Sequence, residues 1–280
     1  MSSTSQHDAA AILRKHGIRP RYRLGQNFLH DPIALQRIVQ AGEIQRSDVV
    51  LEIGCGFGSL TRHLARAAHH VVAVEVDPRL ADIARADLLT FQNVTIVTAD
   101  ILDTTPQELE LPAGHIIVAN IPYYITSPIL RHVLEGEPKP RRVVLTVQQE
   151  VAARICATPP DMSVLALGVQ VYGEARLITT IPAEAFFPVP KVDSAVVCIE
   201  RYDQPAVPSS LLPIYFTVVR AGFSQPRKML GNTLAAGLRI SAADSRAELV
   251  RAGIDPRRRA ETLTIDEWAQ LSEVLSNRTS

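Results

Sequence analysis

The chain has 280 residues, 46% of them apolar, enough for one large domain and a smaller one at roughly 100–200 residues each. Its three cysteines, Cys55, Cys156 and Cys198, lie far apart, which excludes a disulfide framework or a paired-cysteine zinc site, and no metal is expected. Twenty-nine basic residues balance twenty-nine acidic ones, which excludes a strongly basic nucleic-acid-coating protein, and no apolar run approaches the about 20 residues that span a bilayer.

The opening stretch MSSTSQHDAAAILRKHG holds neither the apolar run nor the cleavage site of a signal peptide, so a soluble cytoplasmic protein is expected. Residues 14–23 then carry Arg14, Lys15, Arg19, Arg21 and Arg23 without an acid among them. From Val49 onward, short β-branched runs recur at 49–53, 71–76, 94–97, 116–119 and 143–147. Such runs read as buried strands of a parallel sheet. Helical stretches separate them at 60–68, 78–89, 106–109 and 127–134, and a further helix runs from Glu150 to about Ala157. The alternation predicts βαβ units and a doubly wound α/β sheet. Two later runs, 164–171 and 192–199, also look like strands. The break Gln204-Pro205-Ala206-Val207-Pro208-Ser209-Ser210 ends the pattern, and helices are predicted at 211–221, 228–236, 245–252 and 265–275. The domains so defined are 1–204, with a basic N-terminal segment, and a small helical domain at 205–280.

Leu51-Glu52-Ile53-Gly54-Cys55-Gly56-Phe57-Gly58-Ser59 leaves the first strand and opens a helix. Glycines there let the backbone turn sharply and lie against a bound nucleoside. The spacing is G-x-G-x-G; the third glycine of the dinucleotide fingerprint is replaced by Ser59. A Glu52 carboxylate before the loop would repel a pyrophosphate but favour a cation such as a sulfonium. Glu75, at the end of the second strand, is placed to accept hydrogen bonds from ribose hydroxyls in either an NAD or an S-adenosylmethionine site. Asp100, at the next strand end, is placed to accept from an adenine amine. Asp77 before Pro78 reads instead as a helix cap.

Asn120-Ile121-Pro122-Tyr123-Tyr124 follows the 116–119 strand. The exocyclic amine of adenine is a poor nucleophile, because its lone pair is delocalised into the ring. The Asn120 side-chain oxygen and a backbone carbonyl near Ile121–Pro122 can accept the two amine hydrogens and so localise that lone pair. Pro122 lacks an N–H, fixes its own φ and biases Ile121 toward an extended conformation. Tyr123 can stack on a base taken out of its helix. Catalysis of this kind is positioning and dipole complementarity rather than strong-base chemistry. Taken alone, the same residues also fit a packed turn after a strand.

The run N-I-P-Y-Y-I-T-S-P-I-L resembles the signature of the ribosomal RNA adenine dimethyltransferases, which include a small-subunit branch and the Erm resistance enzymes of the large subunit. Leu24-Gly25-Gln26-Asn27-Phe28-Leu29, Gln149-Glu150-Val151-Ala152 and Phe186-Phe187-Pro188-Val189-Pro190-Lys191-Val192-Asp193-Ser194-Ala195-Val196-Val197 add to the resemblance, which spans about residues 21–235. The last block favours the small-subunit branch.

The resemblance implies a Rossmann-like class I methyltransferase sheet with S-adenosyl-L-methionine as co-substrate, held by Asn27, Leu29, Gly54, Gly56, Glu75, Asp100 and Asn120. It implies that Asn120, Pro122 and Tyr123 form the catalytic motif and that Phe186 stacks on the target adenine opposite Tyr123. Its reaction puts two methyl groups on each of two adjacent adenines, in a hairpin near the 3′ end of small-subunit (16S) rRNA in a pre-ribosomal particle, during ribosome biogenesis. Arg21, Arg23, Arg220, Arg227 and Lys228 are the expected RNA contacts, and a monomer is expected because the substrate is itself large. Two departures stand out. Gln149 replaces the lysine of Q-K-E-V-A, and Arg227-Lys228-Met229-Leu230-Gly231-Asn232 lacks the second arginine of R-K-T-L-R-N. The competing readings are an Erm-like large-subunit enzyme, a non-catalytic ribosome-assembly factor and an NAD-dependent dehydrogenase.

Overall fold

A computed structural model describes residues 9–21 and 25–277. The chain folds as two compact units, Met1–Ala152 with Arg176–Arg201, and Ala153–Ala175 with Tyr202–Ser280. The division after Arg201 lies close to the sequence boundary at 204/205. Residues 153–175, however, group with the C-terminal helices.

In the first unit, α1 (Ala9–Lys15) leads to a two-residue strand β1 (Phe28–Leu29) and then α2 (Pro32–Ala41). The α/β alternation follows: β2 (Val49–Ile53), α3 (Ser59–Ala67), β3 (His70–Glu75), α4 (Pro78–Asp87), β4 (Val94–Thr98), β5 (Ile116–Asn120), α5 (Thr126–Glu135), β6 (Arg142–Gln148) and α6 (Gln149–Ile155). After α7 (Val164–Gln170) come β7 (Gly173–Ile181), β8 (Phe186–Phe187) and β9 (Ser194–Arg201). The main sheet has the order β4-β3-β2-β5-β6-β9-β7. The pairs β2/β3, β2/β5, β3/β4 and β5/β6 are parallel, and β6/β9 is antiparallel.

The sequence explains these elements locally. β2, β5 and β6 are near-continuous apolar runs because helices cover both of their faces, and Val50, Ile116, Val118, Val143 and Val144 are all fully buried. The helix α2 starts at Pro32 with the Asp31 side chain accepting the Ala34 N–H at 2.7 Å, and Asp77 caps α4 before Pro78 in the same way. One face of the sheet buries Val50, Val71, Ile116, Val118, Val144, Val196 and Cys198 against α2 and α3.

In the second unit, α7 joins α8 (Leu212–Gly222), α9 (Leu230–Leu238), α10 (Ala242–Arg251) and α11 (Ile265–Ser276). Trp268 and Tyr215 are fully buried there, and Phe223 stacks on Trp268 with ring centroids 5.9 Å apart. Thr264 and Glu267 close a capping box that starts α11.

Two sequence readings are corrected. The run at 164–171, expected as a strand, is a helix over Val164–Gln170. Ser163 caps it by accepting the Ala166 N–H at 3.1 Å, and so short an apolar run has no period that separates a buried helix from a strand. The strand of this region is β7, whose exposed Leu177 and Ile178 interrupt the alternation expected of it. The short helix at 106–109 is a turn instead, tied by the Glu108 carboxylate accepting from the Thr105 N–H at 2.7 Å. Among the described residues no helix is long and apolar enough to cross a membrane.

Candidate active site

Parallel strands bring their C-terminal ends to one edge of the sheet, where ligands of open α/β folds collect. A cavity of about 280 Å³ opens there in the first unit. It is lined by Asn27, Leu29, Gly54, Gly56, Glu75, Asp100, Asn120, Pro122 and Tyr123 among others. Asn27 and Asn120, 93 positions apart in sequence, thus share one wall.

The floor is the loop after β2. Gly54, Gly56 and Gly58 all have positive φ, between +56° and +87°, a conformation that side-chain-bearing residues rarely adopt. A Cβ on Gly56 would also lie 3.2 Å from the Phe28 ring, so the loop and the β1 segment pack without room for one. Glu75, 6% exposed, braces this loop: its Oε2 accepts the Gly56 N–H at 2.8 Å and its Oε1 the Asp77 N–H at 2.9 Å. Each oxygen keeps a lone pair for a ligand. Burial raises its carboxyl above the usual value, while backbone N–H donors, those of Asp77 and Gly56 first, oppose the rise.

Glu52 lines the same cavity at 1% exposure, and its Oε2 has no hydrogen-bond partner. Burial pushes its carboxyl up to about 8, with Glu75 adding to the effect and Thr61 opposing it. Burial thus disfavours the charged form of the carboxyl that the sequence places before the loop.

Asp100 is exposed at the cavity wall, where its Oδ1 accepts the Leu102 N–H at 3.0 Å. Asn120 ends β5 opposite Thr146 and donates from Nδ2 to the Asn27 carbonyl at 3.2 Å. With the nitrogen end of the amide engaged, the acceptor end, Oδ1, is the one left for a substrate. Pro122 opens a short 3₁₀ turn, and its carbonyl already accepts the Ile125 N–H at 3.2 Å. That leaves the Ile121 carbonyl as the freer backbone acceptor. Tyr123 is half-buried with its hydroxyl 2.7 Å from Ser194 Oγ, and Tyr124 is 58% exposed at the rim.

The N-terminal block reaches this site through β1. Phe28 pairs with Phe187 and Leu29 with Phe186 in an antiparallel two-residue ladder. Gln26 donates to Asp77 Oδ2 at 3.3 Å, and Arg21 lies 3.6 Å from the same oxygen. The Arg79 guanidinium holds the Asp77 carboxyl down at about 2. The Asp77-Pro78 pair signals only a cap in the sequence; the second role of Asp77 depends on a segment 51 residues away, which no local pattern reveals.

Phe186 is not brought into the cavity. It is 1% exposed and packs in the main core beside Leu29 and Ile181, so it does not offer its ring to a base in this structure. Strand alternation at β8 sends Phe186 inward and leaves Phe187 half-buried.

The expected RNA contacts fall in both units. In the first, Arg21 is exposed but pairs with Asp77, and Arg23 lies outside the described residues. In the second, Arg220, Arg227 and Lys228 are exposed. Several other arginines are engaged with acids: Arg141 with Asp48, Arg142 with Glu43 and Glu200, Arg257 with Asp255, and Arg258 with Glu267. Gly231, where R-K-T-L-R-N has its second arginine, is buried, and a Cβ there would lie 3.2 Å from the Pro256 carbonyl oxygen.

A glycine loop braced by a strand-end acid, with an Asn-x-Pro-Tyr turn across the same cavity, is the arrangement of a Rossmann-like methyltransferase that takes its methyl group from a nucleoside-bearing donor. A model of the family described as ribosomal RNA adenine dimethylase matches residues 17–277, and the chain belongs to that family. It is 41% identical over 267 residues to a ribosomal RNA small subunit methyltransferase A of Dehalococcoides mccartyi, covering 94% of this chain and 91% of that protein. The protein of the same name from Anoxybacillus flavithermus is also 41% identical, over 274 residues, with 94% and 93% covered. Among solved structures, the 23S rRNA methyltransferase ErmE superposes with a TM-score of 0.72 at 30% identity, covering 89% of this chain and all of that one. A dimethyladenosine transferase from Plasmodium falciparum superposes at 0.77, with 90% and 98% covered, and at 24% identity shows the shared fold.

Proposed function

We propose that the protein is an rRNA adenine N6,N6-dimethyltransferase that uses S-adenosyl-L-methionine to dimethylate two adjacent adenines in a hairpin near the 3′ end of small-subunit rRNA. The observation that carries this reading is one cavity joining the Gly54–Gly58 loop, Glu75 and Asp100 to Asn120-Ile121-Pro122-Tyr123. The small-subunit branch is favoured by the 41% identity to small-subunit relatives against 30% to ErmE.

The cavity suits the cofactor on its own chemistry. Glu75 offers two oriented oxygens for ribose hydroxyls, Asp100 offers an acceptor for the adenine amine, and Glu52 supplies a buried carboxyl oxygen that no protein group satisfies. When bound, S-adenosylmethionine supplies an electrophilic methyl group on a sulfonium.

The residues of the chain do the rest by positioning. Asn120 Oδ1 and the Ile121 carbonyl accept the two amine hydrogens of the target adenine, so its lone pair turns out of the ring plane toward the methyl donor. Tyr123 covers one face of the flipped base. The neutral amide takes no proton; the proton released on methylation leaves to solvent. An amide and a carbonyl leave space for an amine that already bears one methyl, as a second transfer requires. The RNA is proposed to dock through Arg21, Arg23, Arg220, Arg227 and Lys228 within a pre-ribosomal particle, with the enzyme acting as a cytoplasmic monomer.

The test is transfer of labelled methyl to unmethylated small and large ribosomal subunits in parallel, followed by nucleoside digestion. Label recovered as dimethyladenosine from the small subunit is expected. Label confined to the large subunit would move the protein to the Erm-like reading, and none in either would favour a binding factor.

A further inference from the structure

The proposed reaction uses the ring of Tyr123 but not its hydroxyl, and it gives no task to the Pro190-Lys191-Val192-Asp193-Ser194 block. The structure joins the two. Ser194 opens β9 opposite Gln148 of β6 and is fully buried, with its Oγ 2.7 Å from the Tyr123 hydroxyl across 71 residues of sequence. Its backbone is held on both sides. The preceding Asp193 accepts the Gln149 N–H on its carbonyl and the Ala183 N–H on Oδ1, each at 3.0 Å. Ala195 and Val196 beyond it are fully buried in the ladder with β6.

Tyr123 itself stands on weaker ground. Its backbone lies in a single 3₁₀ turn after Pro122, closed by the Ile125 N–H to the Pro122 carbonyl and by Thr126 Oγ1 to the Tyr123 carbonyl, both at 3.2 Å. Turns of this kind have poor hydrogen-bond geometry and little rigidity of their own. A ring fixed only at its Cα end samples several rotamers, and each one presents a different plane to a stacked base. A bond at the hydroxyl end fixes the ring at both ends.

We propose that Ser194 is a positioning residue for methyl transfer: its hydrogen bond to the Tyr123 hydroxyl sets the plane of the ring against which the target adenine stacks. This rests on the reading of Tyr123 as the base platform. Serine suits the task because its hydroxyl both donates and accepts and adds no bulk beside β6. Burial raises the Tyr123 phenol above its ordinary value, so it remains a neutral partner at working pH.

The experiment compares the full-length protein with Ser194→Ala, Tyr123→Phe, the double variant and Tyr123→Ala. Methyl transfer to unmethylated small subunits gives kcat and KM, and S-adenosylmethionine affinity is measured by titration. An RNA hairpin bearing 2-aminopurine at the target adenine reports stacking through fluorescence quenching. Loss of one buried hydrogen bond predicts about a tenfold fall in kcat/KM for Ser194→Ala and for Tyr123→Phe. The double variant should lose no more than either alone, because both remove the same bond. Cofactor affinity should be unchanged, while quenching weakens in both single variants.

Additive losses in the double variant, or a Ser194→Ala loss that follows cofactor affinity, would overturn the assignment. Tyr123→Phe keeps the ring and leaves β9 untouched, so full activity and quenching in it overturn the assignment even if Ser194→Ala fails to fold. Full activity in Tyr123→Ala would overturn the platform reading itself, and this assignment with it.

Discussion

Glu52 shows how much a single side chain depends on depth. Its carboxyl sits behind the glycine loop with about 8 as its folded value, against an unfolded value near 4.5. A folded value above the unfolded one means that the native state holds the proton more tightly. Its contribution to stability is then full below about pH 4.5 and is lost as the pH rises through about 8. Thermal unfolding should therefore show a falling Tm between about pH 5 and pH 9. Glu52→Gln keeps the shape without the titration and should flatten that fall; parallel curves for the two proteins would contradict the burial argument. This acid is visible before the loop in the sequence, but its charge state is not, because desolvation is set by α3 and β3 packing around it. The same limit applies to Phe186 and Phe187, since two adjacent phenylalanines give no local sign of which one faces the core.

At the scale of elements, the strand ends were legible. Near-continuous apolar runs dictate a parallel sheet, and a parallel sheet carries Glu75, Asp100 and Asn120 to one edge. The β1/β8 clip, which holds Phe28 and Leu29 at the cavity wall, was not legible from periodicity or spacing. β1 and β8 have two residues each and lie some 157 positions apart, and strands so short carry no period. Asp77 ties the same clip to α4 through Gln26, Arg21 and Arg79. Asp77→Asn should loosen the N-terminal segment and disturb Glu75, whose Oε1 the Asp77 N–H supports. The expected result is roughly three- to tenfold weaker S-adenosylmethionine binding with kcat at saturation changed less, measured by titration and steady-state assay. A lowered kcat with unchanged affinity would place Asp77 elsewhere in the mechanism. Gly56→Ala should cost more, about 1–3 kcal/mol, from the strained φ and the Phe28 contact together, read as a lower Tm.

For the molecule as a whole, neutral net charge and local cationic patches are reconciled by pairing. Among the described residues twelve arginines pair with a nearby carboxylate, whereas Arg220, Arg227 and Lys228 are exposed and have no carboxylate within ion-pair distance. Replacing both Arg227 and Lys228 with Ala should weaken RNA binding and reduce the salt slope by about 2. An unaltered slope in a filter-binding titration would remove that patch from the interface. The lost arginine of the R-K-T-L-R-N motif fits the packing at Gly231, where the Pro256 carbonyl leaves little space. The helical unit was legible from its 3.6-residue pattern beyond the Pro/Ser break. The inclusion of residues 153–175 was not, because α7 is a seven-residue apolar run with no distinguishing period.

The proposed chemistry turns on Asn120 Oδ1 acting on the amine in a cavity that also holds the methyl donor. Single-turnover methyl transfer by Asn120→Ala, measured beside its RNA affinity, isolates that step. A loss of at least about 100-fold in the transfer rate is expected, with RNA binding retained. Transfer at the wild-type rate would contradict the role given to Asn120 and the mechanism built on it.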